Sequence, residues 1–152
     1  MSFSQLGLYA ELTYAQNHQF FEKEDVLDGK NIICKTVDKA YFPNSGIYGF
    51  RFVGSNVEGD YIKLENTKFI ITNWNTGKVT RVTLDKVVWW SGWTLNRKTL
   101  DLYYKKPNEG SDYRCKLKAN KTEYDIEMNE HMVKQQIKAN ELILKQKEKN
   151  KI

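Results

Sequence analysis

Between about residues 31 and 118, the chain is a succession of short runs rich in β-branched and aromatic residues, separated by turn-forming residues. The runs include NIICKTV at 31–37, IYGFRFV at 47–53 and KFIITNW at 68–74. The connections between them are short, so runs that are consecutive in sequence are expected to be neighbours in space. The pattern therefore predicts a mainly β fold, an antiparallel meander of about seven or eight strands.

The turn residues set the predicted strand boundaries. Pro43, Asn44 and Gly46 are turn formers and separate the first two runs. The triplet Asn75-Thr76-Gly77 predicts a three-residue hairpin loop with glycine at its left-handed position. A third turn, at 96–99, joins WTL to LDLYYK.

The two cysteines bear on whether the meander closes. An open meander has two exposed edges, and closure into a barrel removes both. Cys34 lies in the first predicted strand and Cys115 in the last, within the similar contexts IICK and YRCK. We predict a small closed or half-open barrel; if it closes, the first and last strands become neighbours and the two thiols could form a disulfide. The alternative is that each is a small buried hydrophobe, since disulfides are unusual in the cytosol.

The aromatic segment VVWWSGWTLNRKTLDLYY, residues 87–104, is sorted by strand alternation. Counted from the preceding residues 82–86, the inward-facing set is predicted to be Val82, Leu84, Val88, Trp90, Trp93, Leu95, Leu100, Leu102 and Tyr104. Trp89 and Tyr103 are assigned to the opposite, polar face. There they predict a cross-strand aromatic pair or an interaction patch.

One hairpin carries a resemblance. The pattern W-x-L-N-R-x-T-L-x-L at 93–102, followed by Y-x-C at 113–115, resembles small β-rich bacterial proteins to which no chemistry is attached. The strands containing IICK and GFRF accompany it there, so the resemblance covers about residues 31 to 117. It implies the β-meander and no particular activity. In that group the segment often follows a secretion signal.

The C-terminal region changes period. Ile126, Val133, Ile137 and Leu144 recur at spacings of seven, four and seven, as on one stripe of a helix. We predict one long helix from about 122 to 148, with Thr122 at its N-cap. The chain therefore divides into an N-terminal segment at 1–30, for which a helix is favoured over a strand, a β domain at 31–119 and a basic amphipathic helix at 120–152.

The net charge of +5 is concentrated at the C-terminus. Residues 134–152 hold six lysines and two glutamates, which accounts for +4 of it. The remaining chain is nearly neutral, so we do not expect nucleic-acid binding. No run approaches the roughly 20 apolar residues of a membrane span. Residues 1–16 lack a signal-peptide pattern, which predicts a cytoplasmic protein unless the true start lies upstream.

Catalytic and metal-binding patterns are missing from the sequence. His18 and His131 have no partner at ligand spacing, and two separated cysteines do not make a zinc site. Ser91 has no G-x-S-x-G context, and no phosphate-binding loop is found. We therefore expect no enzyme activity, no metal and no cofactor.

Two functions remain. The first is a non-catalytic interaction or structural module that uses its helix to bind a protein partner or to form a homo-oligomer. Its contact residues would be Trp89, Tyr103, Ile126, Val133, Ile137 and Leu144. The alternative is a lipocalin-like carrier of a small apolar ligand, because eight strands can leave room for one. Its lining would be Phe50, Phe52, Trp90, Trp93 and Tyr104.

Overall fold

A computed structural model describes residues 27–37, 46–90, 92–105 and 112–150. Within these ranges the protein is a closed antiparallel barrel of eight strands, each paired with the next and the last with the first. The strands are β1 Asn31–Thr36, β2 Ile47–Val53, β3 Asn56–Glu65, β4 Lys68–Val82, β5 Lys86–Trp89, β6 Trp93–Asn96, β7 Asp101–Tyr104 and β8 Tyr113–Lys118. One helix, α1 Lys121–Lys149, follows the barrel. The predicted meander, its closure and the C-terminal helix are confirmed.

The predicted N-terminal segment at 1–30 lies outside the described residues except for 27–30. In this short stretch Leu27 is buried against the barrel core. The Gly29 amide donates to the carbonyl of Phe52 at 2.8 Å. The helix predicted for this segment therefore lies outside the described residues.

The barrel closes where β1 pairs with β8. Cys34 and Cys115 are partners in the register of these strands, and a disulfide joins them. The bond links positions 81 residues apart in sequence, so it ties the first strand to the last. The expectation that closure brings the two sulfur atoms together is confirmed.

The barrel interior holds most of the buried side chains, because strand residues alternate between the two faces. The buried members of this core are Leu27, Ile32, Cys34, Phe50, Phe52, Val57, Val82, Val87, Trp89, Trp93, Leu95, Leu102 and Cys115. A second, smaller cluster lies on the outer surface, beneath α1. It consists of Ile33, Ile47, Ile62, Tyr124 and Met128.

The hairpin loop predicted at 75–77 is wrong, because β4 continues through it for fifteen residues. The register of β3 with β4 shifts at Val57 and Glu58, which is the signature of a bulge. Gly77 supplies the positive φ of +115° there, and the buried Thr76 hydroxyl donates to the Val57 carbonyl at 2.7 Å. Glycine thus marks an irregularity within a strand instead of a chain reversal.

The true reversal lies after Val82. The Thr83 amide donates to the Lys86 carbonyl, and the Thr83 hydroxyl accepts from the amides of Asp85 and Lys86. This turn interrupts the alternation that we extended from Val82 through Trp90. The next inward residues are consequently Val87 and Trp89.

The predicted faces of Trp89 and Trp90 are therefore reversed. Trp89 is fully buried, and Trp90, expected inside, is 55% exposed. Leu84, also expected inside, is exposed at the turn, and Val88 lies only half-buried. A shift of one residue in a strand exchanges its two faces.

The N-cap of helix α1 lies two residues before the predicted one. Asn120 is the N-cap, and its side-chain oxygen accepts from the Glu123 amide at 2.9 Å. This satisfies one of the amide groups left free at a helix start, so Thr122 is not needed as a cap. Glu123 in the first turn and lysines in the last turn also suit the helix dipole.

Candidate interaction surface on the C-terminal helix

One face of α1 is docked on the outside of the barrel. Tyr124 and Met128, four residues apart, are buried, and Met132 is partly buried in the same cluster. Further along, the Gln136 side chain accepts from the Phe69 amide at 2.8 Å and donates to the Thr67 carbonyl at 3.1 Å. We call these four helix residues the docked face. It attaches α1 to the barrel up to about its middle.

Tyr124 enters the sheet where β2 carries no side chain. A Cβ placed on Gly49 would lie 2.0 Å from the Tyr124 hydroxyl oxygen. Only glycine therefore leaves room for this ring, which is one of the reasons for glycine within a strand. The sequence signal was Gly49 in the middle of IYGFRFV, and our sequence analysis did not use it.

The Tyr124 hydroxyl ends at a buried carboxylate. It donates to Asp60 at 2.5 Å, and Arg51 binds the same carboxylate through Nε at 2.8 Å and its terminal nitrogen at 3.1 Å. Asn73 also donates to Asp60, at 3.2 Å. Burial by itself would raise the pKa of Asp60, but the hydrogen bonds from Arg51, Tyr124 and Asn73 bring it below its ordinary value. The pKa of Tyr124 is raised by burial and then by its bond to Asp60.

This polar cluster around Asp60 could not be found from the sequence, because its members come from β2, β3, β4 and α1. It lies in an open cleft of about 820 Å³ beside the first turns of the helix. Arg51 and Asp60 in this cleft are paired with each other, and Tyr124 and Met128 of the docked helix also line it.

A second ion cluster fixes the neighbouring flank of α1. Glu127 accepts from Lys118 at 2.8 Å and lies 3.0 Å from Lys116 Nζ and 3.3 Å from His131 Nε2. Burial acts to raise the pKa of Glu127, and the hydrogen bonds from Lys118, Lys116 and His131 lower it to about 2. The carboxylate is thus ionised at neutral pH and ties α1 to β8.

The opposite side of α1 faces away from the barrel. Ile126, Val133, Ile137 and Leu144, predicted as contact residues, are 55%, 44%, 52% and 60% exposed. We call these four residues the outward stripe. The sequence found this stripe correctly but did not show which way it faces.

Past the barrel, both sides of the helix are open. Leu142 and Ile143 lie close to the angular position of the docked face and are exposed, and every residue from Asn140 to Asn150 is exposed. The last two to three turns of α1 therefore extend beyond the domain as a largely uncovered helix.

The carrier alternative depends on the barrel interior. Phe50 and Phe52, two of its proposed lining residues, are buried against Trp89, with ring centroids 5.3 and 5.5 Å apart. Phe50 also contacts Trp93, another proposed lining residue, at 5.1 Å. These rings occupy the middle of the barrel in contact with one another.

The other two proposed lining residues form an aromatic pair near the surface. The Trp90 ring stacks on Tyr104 with centroids 6.2 Å apart, and the Lys105 ammonium lies 5.9 Å from the Trp90 ring. Trp90 has a positive φ of +49°, and its side chain packs close to Gly77. The exposed aromatic patch predicted from Trp89 and Tyr103 is therefore centred on Trp90. Tyr103 is half-buried.

The comparisons with known proteins identify no family. Neither a scan against protein-family models nor searches of curated proteins and of solved structures found a match to this chain. Among the described residues, no group of three or more His, Cys, Asp or Glu side chains could hold a metal ion. No helix in the described ranges has the length and apolar character to cross a membrane.

Proposed function

We propose that this protein is a non-catalytic interaction module that pairs with a second copy of itself through the outward stripe of α1. The observation that carries the proposal is the exposure of the whole stripe on a helix whose other face is already docked. Amphipathic helices bury their apolar stripe, and contiguous apolar surface on a folded domain marks an interaction site. A partner helix would supply the missing cover.

The spacing of the stripe is self-complementary when two copies run antiparallel. The four residues are separated by seven, four and seven positions. A twofold axis midway between Val133 and Ile137 brings Val133 of one copy against Ile137 of the other. The same axis brings Ile126 against Leu144. Each layer is then apolar on both sides, as in the symmetric interface of a coiled-coil dimer.

The charges of α1 favour the same orientation. Residues 121–133 contain one lysine and four carboxylates, a net charge of −3 with histidine neutral. Residues 134–149 contain five lysines and two glutamates, a net charge of +3. An antiparallel pair matches the negative half of each helix with the positive half of the other, whereas a parallel pair places like charges together.

The first experiment measures the mass of the protein in solution across the micromolar range, by sedimentation equilibrium. The wild type is expected to be a dimer, and Ile137→Glu a monomer. Leu84→Glu is the matched control, because Leu84 is an apolar residue of similar exposure in the β4–β5 turn. A monomeric wild type, or a dimer that survives Ile137→Glu, would refute the proposal.

Helix orientation can be tested by oxidative crosslinking. No cysteine is free among the described residues, so an introduced thiol reports only on the interface. A mixture of Ile126→Cys and Leu144→Cys chains is expected to form a heterologous disulfide efficiently. Ile126→Cys alone is expected to crosslink poorly, while efficient self-crosslinking would indicate parallel helices.

The carrier alternative has one observation in its favour. The indole nitrogen of Trp89 is buried and has no hydrogen-bond partner in the described part of the chain. Native mass spectrometry of protein purified without a tag distinguishes the two functions. A discrete adduct that disappears on denaturation would favour a carrier, and a dimer without adduct would favour the interaction module.

The disulfide bears on where the protein works. Disulfides persist in oxidising compartments and are rare in the reducing cytosol. The Cys34–Cys115 bond therefore supports an oxidising compartment as part of our proposal, in place of the predicted cytoplasm. Alkylation of thiols in intact cells checks it, because a disulfide-bonded protein stays unlabelled until it is reduced.

A further inference from the structure

A second candidate site lies on the outer surface where β1 meets β8. It is a groove of about 340 Å³ between these two strands and α1. We call it the seam groove, and its lining consists of Ile33, Lys35, Arg114, Cys115, Lys116, Glu127 and His131. It lies within a single copy of the chain, on the flank of α1 and apart from the outward stripe.

Positive charge is in surplus around the seam groove. Lys35, Arg114 and Lys116 stand against one lining carboxylate, Glu127. That carboxylate is already shared with Lys118, which lies outside the lining. One carboxylate therefore cannot neutralise all the cations around the groove.

The remaining ion pairs do not remove the surplus. Arg114 reaches Asp101 through Nε at 3.2 Å, but its side chain is 68% exposed, and among the described residues its other donors have no partner. Within the described ranges, Lys35 forms no ion pair. The open side of the groove therefore presents an ammonium that has no ion-pair partner among the described residues, together with a largely exposed guanidinium.

These two cations are also held together by the sheet. Lys35 and Arg114 are direct partners in the β1–β8 register, one pair along from the disulfide. Side chains directly opposite on neighbouring strands lie close together, and like charges there are destabilising. The Cys34–Cys115 bond fixes this register. The fold thus maintains a repulsive pair that an anion would neutralise.

The pKa of the neighbouring His131 is affected by the same positive charges. Burial lowers the pKa of His131, its bond to Glu127 acts to raise it, and Lys35 and Lys134 lower it further. The net direction is downward, so the imidazole is mainly neutral at pH 7. It remains a hydrogen-bonding group on the inner wall of the groove.

We infer that the seam groove binds a phosphate group, with Arg114 and Lys35 as its principal donors. Guanidinium matches phosphate oxygens with a pair of parallel hydrogen bonds, and a lysine ammonium adds a point charge beside it. Ile33, which belongs to the outer apolar cluster, gives the groove an apolar inner side, which suits a phosphomonoester whose remainder is apolar. The phosphate group can come from a soluble monoester or from the headgroup of an anionic lipid.

The first test is binding of inorganic phosphate and of phenyl phosphate, measured by calorimetry at constant ionic strength. Phenyl phosphate is expected to bind more tightly than inorganic phosphate, because its ring can contact the apolar side. Lys35→Gln is expected to weaken both at least tenfold. Lys78→Gln, an exposed lysine on β4, is the matched control and should bind like the wild type.

Thermal unfolding without any ligand gives an independent readout. Lys35→Glu replaces the repulsive pair with an attractive one and is expected to raise the melting temperature in chloride. The same variant should lose the stabilisation by phosphate that the wild type gains. Equal phosphate responses of wild type and Lys35→Glu, or no phosphate response beyond that of chloride, would overturn the inference.

The source of the phosphate group is distinguished with vesicles. Binding to phosphatidic acid vesicles but not to phosphatidylcholine vesicles, with loss in Lys35→Gln, would assign the groove to a lipid headgroup. Phenyl phosphate binding without vesicle binding would assign it to a soluble monoester. The monomeric variant Ile137→Glu should keep phosphate binding, so the groove and the proposed dimer can fail separately.

Discussion

The two long faces of α1 differ in their composition and in their exposure to solvent. The docked face carries Tyr124, two methionines and a glutamine, and it is buried through hydrogen bonds as much as through apolar contact. The outward stripe carries only isoleucine, valine and leucine, and it is exposed. The more hydrophobic face is therefore the one that the single chain leaves uncovered. This difference supports our proposal that the docked face serves folding and the outward stripe serves association.

The largest expected effect comes from truncating Tyr124, the residue of the docked face that enters the sheet. Tyr124→Ala should lower the free energy of unfolding by about 4 kcal/mol, because it leaves a cavity and removes a hydrogen bond from the buried Asp60. Ile126→Ala, two residues along on the outward stripe, should change it by less than about 0.5 kcal/mol in the monomer. Urea denaturation at low protein concentration measures both. Equal losses in the two variants would remove the distinction between the faces.

A smaller effect is expected at Gly49, the β2 residue against which the Tyr124 ring packs. Gly49→Ala should cost about 2 kcal/mol, since its methyl group would overlap the tyrosine hydroxyl. Combining it with Tyr124→Phe relieves part of the overlap, so the double variant should lose less than the sum of the two single losses. Denaturation of all four proteins gives the coupling directly. Strict additivity would show that the ring does not enter the sheet at Gly49.

Low pH should weaken the attachment of α1 to β8 through Glu127 and so lower the free energy of unfolding. Its folded pKa of about 2 lies below the ordinary value of 4.5, so its stabilisation is complete above about pH 4.5 and is lost as the pH falls toward 2. Because Lys116 is largely exposed, solvent screening limits the effect to about 1 kcal/mol. The unfolding free energy of wild type and Glu127→Gln, followed from pH 6 to about pH 2.5, should converge in acid. A constant difference between them would contradict the assignment.

The smallest expected effect concerns the proposed dimer. Because oppositely charged helix halves face each other, raising the salt concentration should weaken association by roughly threefold, through screening. Sedimentation at low and high salt measures the dissociation constants. A dimer that strengthens with salt would be held by the apolar stripe alone, and the charge argument for the antiparallel orientation would fail.

Much of the architecture was predictable because it depends on local patterns. Short β-type runs with tight connections predicted the meander, and the positions of Cys34 and Cys115 predicted which strands would meet. The errors at Trp89 and Trp90 share one cause. Alternation was extended across a turn at Thr83 that the sequence does not mark with glycine or proline, and a one-residue offset exchanges inside and outside.

The candidate site was predictable only in part. The outward stripe follows from helical spacing alone, so its residues were found in advance. The groups that decide which way the helix faces, Gly49, Arg51 and Asp60, lie on β2 and β3 and far from α1 in sequence. No periodicity within the helix refers to them.

The sequence by itself determined the mainly β class, the meander order of the strands, the presence of a C-terminal helix and the composition of the apolar stripe on α1. These follow from residue preferences and spacing within short stretches. Only the tertiary structure decided that Trp89 is central and Trp90 peripheral, and that the helix docks through Tyr124. The reason is that a gap left by one glycine and a buried carboxylate with its arginine exist only once distant strands have been brought together.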